Sequence, residues 1–404
     1  MTRLENKESP FTPGKPVPVE YFVAREKEID RLDRTIRQAS SGRNENIFIT
    51  GERGIGKSSL ARFFRYKAEK EYGFVGTHCF LGGIRDLEGM IRMIFQRLLQ
   101  EVTDKNIFDK LKDFFGKYIK GFTLFGVGVE FTDDRTELRS LLDNFLPVLR
   151  KINETMKSDN KNGIILILDD LNGITGVSDF SHFIKSTVDE LATSKNYIPL
   201  LLILVGTQER QEDLIKYQPS VARIFDIIDL TTMNKEESKE FFITAFKKQN
   251  IDISESAIDL MIRFSGGFPM LMHEVGDAVF YEDIDNKIDR KDALFGIHIA
   301  ADIVGRKYLD PQVYSALRSK TYRSILRKMG SLPIGNSFHR KDIIPQMREN
   351  EQKNLDNFIR KIKKLGIIRE EEVRGEYSFI NQLYHLYIKI EALRSETTKP
   401  NKKS

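Results

Sequence analysis

Residues 46–58 read NIFITGERGIGKS. A short apolar strand runs directly into the pattern G-x-x-x-x-G-K-[ST], and a helix begins near Lys57. Gly51, Gly54 and Gly56 let the backbone curl so that its N–H groups converge, and the helix N-terminus adds a dipole that favours an anion. A strand, a glycine loop and a helix in that order make a cradle for phosphate oxygens. Gly51, Arg53, Gly54, Ile55, Gly56, Lys57, Ser58 and Ser59 form the expected nucleotide-binding set. Lys57 would reach the β and γ phosphates, Ser58 would bind Mg²⁺ and Ser59 would touch the α phosphate. A chance glycine turn is the competing reading, and the agreement between motif and flanking context disfavours it.

Strand signals recur at residues 73–81, 163–169, 199–206 and 223–230, with helical patterns between them. Near-continuous apolar strands alternating with helices predict an α/β fold on a parallel, helix-covered sheet. Before the first strand, residues 25–39 place Ile29, Leu32 and Ile36 at helical spacing. Residues 104–132 pair an amphipathic stretch with Gly-spaced FTLFGVGVEF and read as an insertion with no assigned role. After Leu230 the strands are expected to stop, and residues 235–281 read as helices closing on GGFP. From Tyr308 three helical patterns are followed by a hairpin turning near Gly375, the winged-helix arrangement. The expected domains are an extended Pro-rich segment over 1–20, a nucleotide-binding core over 21–232, a helical lid over 233–305, a winged helix over 306–395 and a basic tail over 396–404. The Pro-rich start is expected to run extended over the surface of the folded chain behind it.

A phosphate loop needs an acidic residue across from it, at the carboxyl end of a neighbouring strand. Asp169, after the run IILIL, supplies that metal ligand. Asp170 comes next, positioned to orient or deprotonate an attacking water, although Asp also favours turns. Asp is shorter than Glu by roughly 1.5 Å, and a misplacement on the order of 1 Å costs about a hundredfold in rate. Slow hydrolysis is therefore expected. Thr207, after the strand LLLILV, is placed to bond a γ-phosphate or the water, or else is a solvated strand end. Arg223 in SVARIF would reach a neighbouring subunit's γ-phosphate, or serve as a surface arginine or structural ion pair.

Composition bounds the rest. At 404 residues the chain exceeds one hydrophobic core, and 28 Phe are ample for packing. A single cysteine, Cys79, excludes an intramolecular disulfide framework and a Cys-clustered zinc site, and reads as a buried strand residue in a cytoplasmic protein. No N-terminal signal is expected, because prolines at positions 10, 13, 16 and 18 stand where an apolar stretch would be required, and no apolar run reaches membrane-spanning length. Residues 311–404 carry 20 Lys+Arg against 10 Asp+Glu, whereas residues 1–310 carry 44 against 49. That asymmetry predicts either an anionic partner for the C-terminal part or a solvated basic face. No histidine pair has metal spacing, and His78 and His273 read as core residues.

With these residues assembled, the chain resembles the AAA+ ATPases, close to the STAND group and to the origin-recognition initiator clade, over roughly residues 20–395. YFVAREKE at 21–28 is similar to the F-V-G-R-E-x-E signature of these families, with Ala24 in place of Gly. The resemblance implies that this signature, including Arg25, lies beside the adenine. It also implies that Asp169 and Asp170 form the Walker B pair, that Thr207 stands at sensor 1 and that Arg223 lies in the arginine-finger neighbourhood. Gly267-Phe268-Pro269 matches the G-x-P element of the STAND group, whose proline approaches the nucleotide; alone it reads as a helix boundary. No arginine stands at the sensor-2 site beyond it, which favours the STAND-like reading over a conventional motor.

The expected activity is a slow or partner-stimulated Mg²⁺-dependent ATPase that binds ATP and ADP and couples nucleotide state to winged-helix position and homo-oligomerisation. In the third C-terminal helix, Leu355, Phe358, Ile359, Ile362 and Leu365 form the buried stripe, and Lys353, Asn357, Arg360, Lys361 and Lys364 the outer face. Such a face fits double-stranded DNA, giving an alternative function as a DNA-binding regulator that holds ATP and rarely hydrolyses it. The acidic hairpin REEEVRGE fits a winged helix that packs on a protein partner or on the ATPase core instead.

Overall fold

The computed structural model of the chain describes residues 8–43, 45–101, 142, 144–157, 161–194, 197–335 and 337–397. The segment 104–132, expected to be an insertion, lies outside the described residues, as does the tail from residue 398. The chain divides into two compact units, one of residues Pro18–Thr231 and one that joins the segment up to Val17 with Thr232 onward.

In the first unit, five strands take the order β2-β3-β4-β1-β5, and every pairing is parallel. They are β1 (Glu45–Gly51), β2 (Phe74–Phe80), β3 (Gly163–Asp169), β4 (Leu200–Val205) and β5 (Asp226–Leu230). β3 and β4 are buried along their whole length, as strands covered by helices on both faces must be. Helices α1 (Glu26–Ser40), α2 (Lys57–Tyr72), α3 (Leu87–Gln100), α4 (Phe145–Met156), α5 (Ser178–Thr193) and α6 (Gln208–Tyr217) cover the sheet. One core cluster ties Phe48, Leu166, Leu168, Ile94, Phe95 and Phe180 together. Cys79 is fully buried on β2, in line with its sequence context, and burial pushes its thiol up to about 11.

The strand expected over 223–230 is shorter than its pattern. Val221–Ile224 forms one helical turn, α7, and β5 starts at Asp226.

The second unit opens its main run with α8 (Lys235–Lys248), whose Asn234 and Glu237 form a capping box. Helices α9 (Glu255–Ser265), α10 (Pro269–Phe280) and α11 (Arg290–Val304) come after it. Strands do not stop entirely after Leu230: β6 (Asp252–Ile253) and β7 (Lys287–Ile288) pair in parallel, too short to leave a periodic signal. A π-helical stretch, Gly305–Tyr314, continues from α11 and contains Pro311. Beyond it come α12 (Lys320–Gly330), the short α13 (Arg340–Ile343), α14 (Glu349–Lys364) and α15 (Gln382–Thr397). Strands β8 (Phe338–His339), β9 (Ile368–Glu370) and β10 (Glu376–Phe379) form an antiparallel sheet in the order β8-β10-β9. The hairpin turns at Gly375, φ +81°.

The Pro-rich start does not simply trail over a surface. Phe11 is only 4% exposed and inserts among Phe241, Phe242, Phe246 and His273. The Thr12 N–H donates to His273 Nδ1 at 3.2 Å. The apolar ring outweighs the polar, proline-rich context that argues for an exposed strap.

Candidate functional site

The loop between β1 and α2 is held in left-handed geometry at Gly51 (φ +137°), Gly54 (φ +85°) and Gly56 (φ +99°). At Gly51 the requirement is doubled, because a Cβ there would also lie 2.6 Å from the Leu230 carbonyl oxygen. Ile55 plugs the loop into the core at 2% exposure. Lys57 folds back over the loop, its Nζ donating to the Gly51 oxygen at 2.9 Å and the Glu52 oxygen at 2.7 Å. Burial pulls its pKa below the ordinary lysine value, and the Asp169, Asp170 and Glu52 carboxylates oppose that shift. The ammonium is thus placed in a partly desolvated cup opposite two acidic side chains. Ser59 is buried and Ser58 half-buried at the start of α2, and Arg53 is exposed.

Asp169 ends β3 at 3% exposure. Its Oδ1 accepts the Asp170 N–H at 2.7 Å, and its Oδ2 lies 2.9 Å from His78 Nε2. His78 is therefore more than the core histidine its sequence context implies, because β2 carries it to the acidic residue across the sheet. The register explains this: Phe80, two residues on and on the same face, pairs with Asp169. Phe80 stacks on the His78 ring at 4.4 Å while remaining 52% exposed. Asp170 is exposed, adopts φ +57° and accepts a hydrogen bond from Asn172. A side chain at Gly82 would run into its carboxylate. Both readings of Asp170 are compatible with that geometry, since Asp is among the few residues that enter the left-handed region readily.

At the ends of β1 and β4, the hydroxyl oxygens of Thr50 and Thr207 are buried without a hydrogen-bond partner. Gly206 N–H donates to the Ile49 oxygen at 3.1 Å, which fixes the two strand ends side by side. Unpaired buried hydroxyls are uncommon and call for a partner. Together with the lysine-lined loop they fit a polyanionic ligand. Among the described residues no group of three or more His, Cys, Asp or Glu side chains is arranged to cage a metal. One carboxylate and one hydroxyl, Asp169 and Ser58, would suit a hard cation that takes its remaining ligands from phosphate and water.

Arg25 is 4% exposed at the start of α1, with Nη2 donating to the Thr231 oxygen at 2.6 Å and the Ile55 oxygen at 3.4 Å. Its guanidinium braces the phosphate loop through main-chain carbonyls. Ala24 and Arg25 both adopt left-handed φ, +62° and +66°, so the turn usually made by Gly is kept at a steric cost of roughly 1–2 kcal/mol per residue. Arg223, on α7, is exposed and its side chain has no partner among the described residues. Pro269 lies in the second unit at the first turn of α10, after the left-handed pair Gly266 and Gly267. At Gly267 a Cβ would collide with the Met233 oxygen, so GGFP is a helix boundary built against a neighbouring chain segment.

On α14, Leu355, Phe358, Ile359 and Ile362 are buried as expected. Lys361 is not on the free face: it donates to the Ala316 oxygen at 2.7 Å and lies 5.8 Å from the Tyr322 ring. Lys353 pairs with Glu349 at 2.7 Å, and Arg360 donates to Asn357 Oδ1 at 2.5 Å. Lys353, Arg360 and Lys364 are exposed.

A parallel sheet with a glycine loop between β1 and α2, a half-buried lysine, and an acidic residue at the end of β3 defines a phosphate-loop nucleotide-binding domain. Residues 21–203 match the AAA ATPase domain family. Over 331 residues the chain is 24% identical to an uncharacterized HTH-type transcriptional regulator of Methanocaldococcus jannaschii, covering 77% of this chain and 76% of that protein. Its fold is similar to that of a Walker-type ATPase of Pyrococcus abyssi, with a TM-score of 0.52 and 16% identity, covering 92% of this chain and 97% of the other. The ORC2 protein of Aeropyrum pernix, solved as ADPNP–ADP complexes, gives a TM-score of 0.57 at 11% identity, covering 96% of each chain. These likenesses concern the fold. Among the described residues no helix is long and apolar enough to cross a membrane.

Proposed function

We propose that this protein binds ATP with Mg²⁺ and hydrolyses it slowly, as a STAND-like switch whose nucleotide state sets the position of a C-terminal winged helix. The observation that carries the reading is Lys57, held on the Gly51 and Glu52 carbonyls in a partly buried cup and facing Asp169 and Asp170. A triphosphate supplies the anionic oxygens those groups lack. Ser58 and Asp169 would hold the Mg²⁺, which neutralises phosphate charge when bound. Thr207 would meet the γ-phosphate or the water, and its partnerless hydroxyl supports that role. Asp170, engaged with Asn172 in a left-handed turn, would serve as a weak base, which favours slow turnover. ADP would be held in the same pocket after turnover.

In this reading residues 233–305 form the lid and residues 306–395 the winged helix, with α14 as its third helix and β9–β10 as the wing. Pro269 would approach the nucleotide from the lid. Exposed Arg223 would complete a neighbour's site in a homo-oligomer. Phosphate release tests the reading: Asp170→Asn should fall about a hundredfold while nucleotide affinity is kept. Equal release by wild type and Lys57→Ala would contradict it.

A second reading is favoured by the relative named as an HTH-type regulator. There the exposed Lys353, Arg360 and Lys364 of α14 contact double-stranded DNA, and nucleotide is held rather than consumed. Salt-dependent binding to duplex DNA, lost when these three are reversed to Glu, separates this reading from a protein-facing winged helix.

A further inference from the structure

Helix α11 is apolar on two opposite faces. Ala293, Ile297, Ala300, Ala301 and Val304 are buried, as the inner side of an amphipathic helix should be. On the outer side Leu294 is 46% exposed, Phe295 55% and Ile299 39%. The loop that leads into the helix adds Tyr281 at 61% and Ile284 at 75%. A helix hydrophobic all round is ordinarily a covered helix, and clustered exposed apolar side chains of this kind mark interaction sites.

The order of residues along that outer stripe indicates what covers it. Lys291 stands at one end, then Leu294, Phe295, His298 and Ile299, and Asp302 stands at the other. A two-fold axis through the helix midpoint, between Gly296 and Ile297, sets a second α11 antiparallel to the first. Leu294 then faces Ile299, Phe295 faces His298, and Lys291 faces Asp302, in both directions at once. This is the self-complementarity an isologous contact requires. The flanks agree with it. Arg306, 66% exposed, shares Asp302 with Arg394 of α15 and extends the stripe toward the copy's acidic loop with Glu282, Asp283 and Asp285.

We infer that α11 is a homodimer contact: a second copy of this chain packs antiparallel along Lys291–Asp302. The contact is separate from the nucleotide pocket and does not depend on the function proposed above. One helix pair and its flanking loops fall near the low end of specific interfaces, below about 1,200 Å², so a dissociation constant on the order of micromolar is expected.

Light scattering of the full-length chain after size exclusion, across a concentration series, tests this. Wild type should move from monomer to dimer mass with rising concentration. Phe295→Glu and Lys291→Glu should each shift that midpoint at least tenfold upward, with circular dichroism unchanged. Lys57→Ala should leave the midpoint where it is, which separates this contact from one driven by nucleotide. A chain carrying both Phe295→Cys and His298→Cys, the two positions this register sets opposite each other, is tested in case the charged variants fold poorly and should form a disulfide-linked dimer under mild oxidation. A wild type that stays monomeric throughout, an assembly indifferent to Phe295→Glu in folded protein, or a doubly substituted chain that never cross-links would each overturn the inference.

Discussion

His78 has its imidazole 2.9 Å from the carboxylate that ends β3, and its ring is stacked on Phe80. In the proposed site that carboxylate would hold Mg²⁺, and a group that orients a metal-binding carboxylate typically tunes affinity 10- to 100-fold. His78→Phe keeps the stack and removes the hydrogen bond. The Mg²⁺ concentration that gives half-maximal ATP binding should therefore rise roughly tenfold or more, while binding at saturating Mg²⁺ is recovered. Loss of binding at every Mg²⁺ concentration would mean that His78 has only a packing role. Arg25 shows the same kind of indirect action. By tying the Ile55 and Thr231 carbonyls it holds the loop that carries Lys57, while its Nη1 pairs with Glu28 at 3.5 Å.

At the scale of elements, two buried histidines in the second unit set a pH limit. His273 is held down to about 4 by burial, and the Thr12 N–H that it accepts requires it neutral. Burial likewise lowers His385 to about 4, with Lys389 adding to the effect. Each folded value lies below the unfolded one near 6.5, so the unfolded chain takes up protons first. Stability is full above about pH 6.5 and is lost as pH falls toward 4. The loss should be on the order of 2 kcal/mol for each histidine between pH 7 and 5. Denaturant midpoints at the two pH values check it, and His273→Gln should remove about half of the difference.

Elements also differ in how plainly the sequence announces them. β1, β3 and β4 are legible because strands buried on both faces are continuous apolar runs, and the glycine loop because its backbone needs residues without Cβ. The two-residue strands β6 and β7 carry no such periodicity. His78, Arg25 and Lys361 escape a sequence reading for one reason: their partners are set by tertiary structure. His78 meets a carboxylate 91 residues away, and Lys361 reaches a carbonyl 45 residues away. Phe11 is hidden because a lone aromatic among prolines gives no period, although its pocket comes from three phenylalanines of α8.

For the whole molecule, two units with separate cores should unfold in two calorimetric transitions. A ligand at about 100 times its dissociation constant adds roughly 2.7 kcal/mol to the unit that holds it. Mg²⁺ with ATP should therefore raise chiefly the transition of residues 18–231. A ligand-induced rise confined to the other transition would place the site elsewhere.

Whether the cup formed by the glycine loop, Lys57 and Asp169 holds the phosphates of ATP is measured directly by isothermal titration of the folded full-length chain with Mg²⁺ and ATP. Saturable heat near one nucleotide per chain, abolished by Lys57→Ala, is the expected result. No heat beyond dilution for the folded wild type would contradict it.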